Sequence, residues 1–130
     1  FKSLYEIEWD WDYAFVLVSA DGGQTWASLP SKKGTTISGF NPNAAGCFTQ
    51  YGNGITGVSG EANDLTNTNR LTGVYNQAQW IDDEFDLTAY KGQNILLRFA
   101  YFTDPALAKR GWFIDDITIT ADASTVYRSD

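Results

Sequence analysis

What this chain can fold into is limited first by the shape of its apolar runs. They are short, they alternate or are rich in β-branched and aromatic residues, and turn signals interrupt them before a helical period can build up. "FKSLYEIEW" sends Phe1, Ser3, Tyr5, Ile7 and Trp9 one way and Lys2, Leu4, Glu6 and Glu8 the other. "YAFVLVSA" is apolar on both faces and reads as a central strand covered on both sides. "QTWASL" reads as a short return strand. "QWIDDEFDL", "QNILLRFAYFT" and "GWFIDDITIT" read as three more, and a last one is expected through Thr125 to Tyr127. In "QNILLRFAYFT", Ile95, Leu97, Phe99 and Tyr101 share a face, and Arg98 lies on the other with Leu96, Ala100 and Phe102. The turns "DGG", "KGQ" and "DPALAKRG" separate these runs. Roughly six or seven strands without an amphipathic helix predict an all-β fold, an antiparallel β-sandwich.

At 130 residues the chain has the length of one domain, residues 1–130, and 43% of it is hydrophobic, enough for a real core. A net charge of −7 argues against nucleic acid, which is gripped by clustered Lys and Arg. No apolar run is long enough to span a bilayer. The chain has no Met, and its acidic, alternating opening reads as strand rather than as a signal peptide. It is therefore expected to be a fragment of a larger polypeptide, with room for a further strand upstream. Histidine is absent, which removes the commonest general base and excludes a helix-borne zinc pair. Cys47 is the single cysteine; with no His to activate it, it reads as a plain loop thiol.

Pro30 to Gln79 is unlike the rest. It holds eight of the twelve glycines and is full of Asn and Thr. "NPNAAG", "GNGITG" and "NDLTNTNR" are turn chemistry in series, so the stretch reads as one long Gly/Asn/Thr-rich loop. Either it packs across one sheet, pinned by an ion, or it carries a ligand surface. Packing is the favoured reading.

Three motifs carry candidate chemistry. "SADGGQTW" fits Ser-x-Asp-x-Gly-x-Thr-Trp, the Asp-box pattern. Asp21 is placed to accept backbone N–H groups across the turn, Gly22 and Gly23 supply positive φ, and Trp26 folds back over it. The pattern resembles turns of bacterial sialidases, which lie away from the active site, and it is expected to be structural. In "EIEWDWDY", Glu6, Glu8, Asp10 and Asp12 should share a side while the strand lasts. Four such charges repel unless a hard cation such as calcium sits among them, or unless they simply face water along an edge. In "GWFIDDITIT", alternation puts Asp115 with Phe113, Ile117 and Ile119 on a face that reads as core, and Asp116 with Trp112 and Ile114. A buried carboxylate must be paired, protonated or metal-bound. A cation site at the strand end, a catalytic acid pair and a plain strand terminus all remain open, with catalysis the weakest of them.

The ordered series "YEIEWDWDYAFVLVSADGGQTWASL", "NPN", "GNGITGVSG", "DLTAYKGQNILLRFAYFTD" and "GWFIDDITI" resembles the non-catalytic region of immune inhibitor A-type metallopeptidases, secreted bacterial zinc proteases. It is similar in outline to MAM domains and to calcium-binding jelly-roll carbohydrate-binding modules. The resemblance implies a jelly-roll-like β-sandwich joined to a protease domain, extracellular, without catalytic residues of its own, and stabilised by calcium. It implies Glu8, Asp12, Asp104 and Asp115 as metal ligands, with loop carbonyls completing the shell. "DPALAKR" departs from the Gly-rich turn expected after Asp104. The accessory role so implied is stability or presentation of protein substrate. The alternative is carbohydrate binding, with Trp11, Tyr51 and Trp80 as stacking candidates; exposed rings would favour it and buried rings the accessory role.

Overall fold

The structure, a computed structural model, describes residues 1–37, 51–60, 78–122 and 124–129. Cys47 and much of Pro30–Gln79 lie outside the described residues. In chain order the strands are β1 (Lys2–Ile7), β2 (Tyr13–Ser19), β3 (Ala27–Ser28), β4 (Thr36–Ile37), β5 (Gly54–Ile55), β6 (Gly57–Val58), β7 (Ile81–Asp82), β8 (Leu96–Phe102), β9 (Gly111–Asp115), β10 (Thr118–Ala121) and β11 (Ser124–Arg128). One 3₁₀ turn among the described residues, Thr88–Tyr90, precedes β8. Among the described residues no helix is long and apolar enough to cross a membrane.

The strands form two antiparallel sheets and one hairpin among the described residues. β1 is the centre of the first sheet. β9 runs along one edge of it, from Lys2↔Asp115 to Glu6↔Gly111. β7 and β6 share its other edge, at Lys2–Ser3 and Glu6–Ile7. β2 is the centre of the second sheet, paired with β8 from Tyr13↔Phe102 to Ser19↔Leu96. β3 and β5 share its other edge, and β4 continues beyond β5. β10 and β11 form the separate hairpin.

The core follows from the two central strands. Tyr5 and Ile7 of β1 pack on Ala14 and Ile55, with Tyr101 and Trp112 at the margin. Val16, Val18 and Leu29 extend this layer toward Phe1, Leu97 and Phe99. The other face of β2, Tyr13, Phe15 and Leu17, buries against Trp26, Ile37, Tyr51 and Phe102. All of β2 is therefore buried, as its two apolar faces predict. Each of its Phe, Val and Leu side chains contributes about 1.5–3 kcal/mol on leaving water.

The structure refines two expectations. First, the described part of the Gly-rich excursion includes three two-residue strands, β4, β5 and β6. Strands of two residues are too short to show an alternating pattern. Close packing explains two of its glycines: a Cβ on Gly54 would lie 2.6 Å from the Tyr13 ring, and one on Gly57, at φ 84°, 3.0 Å from the Trp9 ring. Secondly, "GWFIDDITIT" is two strands. β9 stops at Asp115, and Asp116 takes a left-handed φ of 51° that Asp tolerates better than most residues. Its inward face is also the reverse of that expected. Trp112 pairs with buried Tyr5 and Ile114 with buried Ser3, so Phe113 and Asp115 lie outward with Leu4 and Lys2. Asp115 is exposed and is not a buried carboxylate.

Candidate metal centre

Three chain crossings join the sheets at one end of the sandwich: residues 8–12 from β1 to β2, Thr56 between β5 and β6, and residues 103–110 from β8 to β9. After Ile7 the strand gives way to a turn, in which the Asp12 N–H donates to the Glu8 carbonyl at 3.1 Å. The Thr56 hydroxyl holds this turn, donating to the Glu8 carbonyl at 3.0 Å and accepting the Asp10 N–H at 2.9 Å. The four acids of "EIEWDWDY" therefore do not line one side. Glu6 is buried against Arg110 at 3.2 Å, and the Asp10 carboxylate accepts the Tyr13 hydroxyl. Glu8 and Asp12 are left facing each other across the turn.

The third crossing delivers Asp104 to them. Asp12 is fully buried; its Oδ1 accepts the Asp104 N–H at 2.8 Å and its Oδ2 the Tyr101 hydroxyl at 3.3 Å. Asp104 Oδ1 accepts the Ala106 N–H at 2.8 Å, which fixes the start of that crossing. One carboxylate oxygen each from Glu8, Asp12 and Asp104 lies within 4.8 Å of the others. Glu8 Oε2 is shielded from solvent and has no hydrogen-bond partner among the described residues.

The electrostatics match this geometry. Burial pushes the Glu8 carboxyl up, the charges of Asp104 and Asp12 push it further, and Lys109 partly offsets them. Burial also raises Asp12, against the pull of the Asp104 N–H and the Tyr101 hydroxyl. The Tyr101 hydroxyl is driven well above its usual range by burial and by the charge of Asp12. An all-oxygen, acidic donor set of this kind can share a proton or hold a hard cation, and it suits calcium better than a soft metal.

Of the residues expected to form a metal site, Glu8, Asp12 and Asp104 come together. Asp115 does not: it pairs with Lys2 at the far end of β1. There Asp115 accepts the Asp116 N–H at 2.8 Å, and Asp116 bridges to Lys2 at 2.7 Å, so the two acids end a strand. Of the stacking candidates, Trp11 is 36% and Trp80 50% exposed, whereas Tyr51 packs on Phe15, with ring centroids 5.4 Å apart. Thr56 and Tyr101 also belong to the site, without a signal in the sequence. Thr56 is marked only as one hydroxyl among glycines, and Tyr101 has the alternation of a core residue.

The fold and the cluster define a class: an antiparallel β-sandwich whose sheet crossings converge on an oxygen-donor site. Residues 44–130 match the family described as immune inhibitor A-like, MAM domain, and the chain belongs to that family. It is 30% identical over 92% of its length to bacillopeptidase F of Bacillus subtilis. It is 28% identical over 95% to pre-pro-metalloprotease PrtV of Vibrio cholerae, and 28% identical over 100% to immune inhibitor A of Bacillus thuringiensis. It spans only 6%, 10% and 14% of the length of these relatives, respectively. No solved structure matches the chain.

Proposed function

We propose that the chain is a non-catalytic accessory domain of a secreted bacterial metallopeptidase, and that a calcium ion bound by Glu8, Asp12 and Asp104 ties its sheet crossings together. The observation that carries this reading is the convergence of three carboxylates on one point, with a shielded Glu8 oxygen that no donor meets among the described residues. Backbone carbonyls and water complete the six to eight oxygens calcium takes. The ion binds only the folded arrangement, so it adds stability by mass action. The relatives' names support the extracellular protease setting, one being a pre-pro-metalloprotease, and so does the small share of each that the chain covers. Within the parent the domain stabilises the protease or presents protein substrate. Thermal unfolding in EDTA and then in millimolar calcium tests the ion: a rise on the order of 10 °C is expected, with little from magnesium. An unchanged midpoint rejects it.

A second reading is glycan binding, favoured by the exposure of Trp11 and Trp80. Titration with soluble oligosaccharides should then quench Trp fluorescence in the wild type and not in Trp11→Ala or Trp80→Ala. Tyr51 is withdrawn from this role by its packing on Phe15 and Phe102.

A further inference from the structure

A cleft of about 710 Å³ opens at the other end of the sandwich, between β10 and the 3₁₀ turn. Leu29, Leu97 and Phe99 belong to its apolar lining. Every residue from Ile117 to Asp122 lines it as well. Consecutive residues of a strand point to opposite faces, so a strand lines a cleft with both sets only where it presents its edge. The hydrogen bonds agree. Ser129 N–H donates to the Ile117 carbonyl at 2.8 Å, and Ile117 N–H to Ser129 Oγ at 2.9 Å. By antiparallel alternation, the N–H and C=O of Thr118 then point away from β11. Among the described residues β10 pairs with β11 alone. Its sequence, TITA, has no charge or proline to blunt such an edge.

The charge of the cleft selects among partners. In its lining Lys32 pairs with Glu84 and Lys91 with Asp122, which leaves Asp83 and Asp86 as an acidic excess on a chain of net charge −7. We infer that this cleft binds an extended polypeptide segment, apolar or β-branched at alternate positions and flanked by Lys or Arg, which adds to β10 as a third strand. The backbone of the segment meets the free edge of β10, alternate side chains enter the apolar cleft, and the flanking cations meet the acidic lining. The site is separate from the carboxylate cluster, so it stands or falls independently of calcium.

The test is fluorescence anisotropy of a labelled peptide of alternating Val and Thr with Lys at both ends, titrated with the whole 130-residue chain, in EDTA and in calcium. Saturable binding is expected in both. N-methylation of alternate peptide nitrogens should weaken it at least about tenfold, because the strand hydrogen bonds are lost. Glu in place of the terminal Lys should weaken it about threefold, an effect that added salt reduces. Thr118→Pro should abolish binding while leaving the circular dichroism unchanged; if that variant does not fold, the N-methylated peptide still decides. Equal binding of the N-methylated peptide overturns the inference, as does absence of saturable binding. Self-association of the chain that the peptide does not reverse assigns the edge to a second copy and overturns it too.

Discussion

The two ends of β2 each depend on an aspartate, and the two aspartates live in opposite conditions. After the strand, Asp21 sits in water with its carboxylate saturated: Thr25 N–H at 2.9 Å, the Thr25 hydroxyl at 2.6 Å and the Ser19 hydroxyl at 2.7 Å. Those donors hold its carboxyl well below the usual range. Gly22 and Gly23 take positive φ, the Trp26 ring N–H donates to the Gly23 carbonyl at 3.1 Å, and Arg98 lies 3.8 Å over that ring. Before the strand, Asp12 is buried with two donors of its own, but two further carboxylates share the space, and burial raises it. The first turn closes with protein donors alone. The second brings together more negative charge than its donors meet, which is what separates a structural turn from a candidate ion site.

The largest effect should follow from removing charge at the second turn. Asp12→Asn keeps an acceptor for the Asp104 N–H and removes one of the three charges. In EDTA its stability should match or exceed that of the wild type. In calcium at a hundredfold excess over Kd the wild type should gain about 2.7 kcal/mol and the variant almost nothing. Differential scanning calorimetry with and without calcium reads both; a variant that keeps the full gain would remove Asp12 from the site. Asp21→Ala should behave in the opposite manner, losing stability equally in either buffer, because its turn donors are left unmet, with the calcium increment intact.

The pH dependence should differ in sign between the turns. Glu8 and Asp12 are raised, so without a cation their contribution is fully present below ordinary carboxylate values and is lost as pH rises through their raised ones. Asp21 is lowered, so its contribution is present above the ordinary value and is lost as pH falls through the lowered one. In EDTA, urea unfolding should therefore show the wild type losing stability relative to Glu8→Gln as pH rises from about 4 to 7. Calcium bound at the cluster should reverse this trend, because a cation favours the charged carboxylates. A difference between wild type and Glu8→Gln that is flat across that window would show that the cluster is not strained by its own charge.

How much of this was legible in the sequence depends on the range of the interaction. The Asp21 turn was readable because every partner lies within a few residues. β1, β2 and β8 were readable because six or seven residues are enough for an alternating or doubly apolar pattern to show. β4, β5 and β6 were not, since two residues carry no period. The pairing of Glu8 with Asp12 was anticipated only from the family resemblance, because the strand pattern put four acids on one side and the turn held by Thr56 undid that. The inward face of β9 was misread for a related reason. Both of its faces carry apolar residues, Phe113 and Ile114 among them, and only the register against Tyr5 decides which one is buried.

That misreading leads to the smallest expected effect. Asp115 was grouped with the metal ligands on the strength of resemblance, yet β1 separates it from the cluster. Glu8 follows the last residue of β1, whereas Asp115 is paired with Lys2 at its start. At about 3.3 Å per residue that span is on the order of 20 Å, beyond the reach of any shared ion. Asp115→Ala should therefore leave the calcium increment unchanged. It removes one exposed acceptor, that for the Asp116 N–H, and leaves the Lys2–Asp116 ion pair in place. Exposed pairs and turns of this kind contribute little, so the change in stability should stay within about 0.5 kcal/mol. Calcium titration of Asp115→Ala beside Asp104→Ala separates the two acids. Loss of the increment in Asp104→Ala alone places the ion at the sheet crossings. Loss in Asp115→Ala would mean that the strand end, and not the convergence of crossings, is where this domain meets its cation.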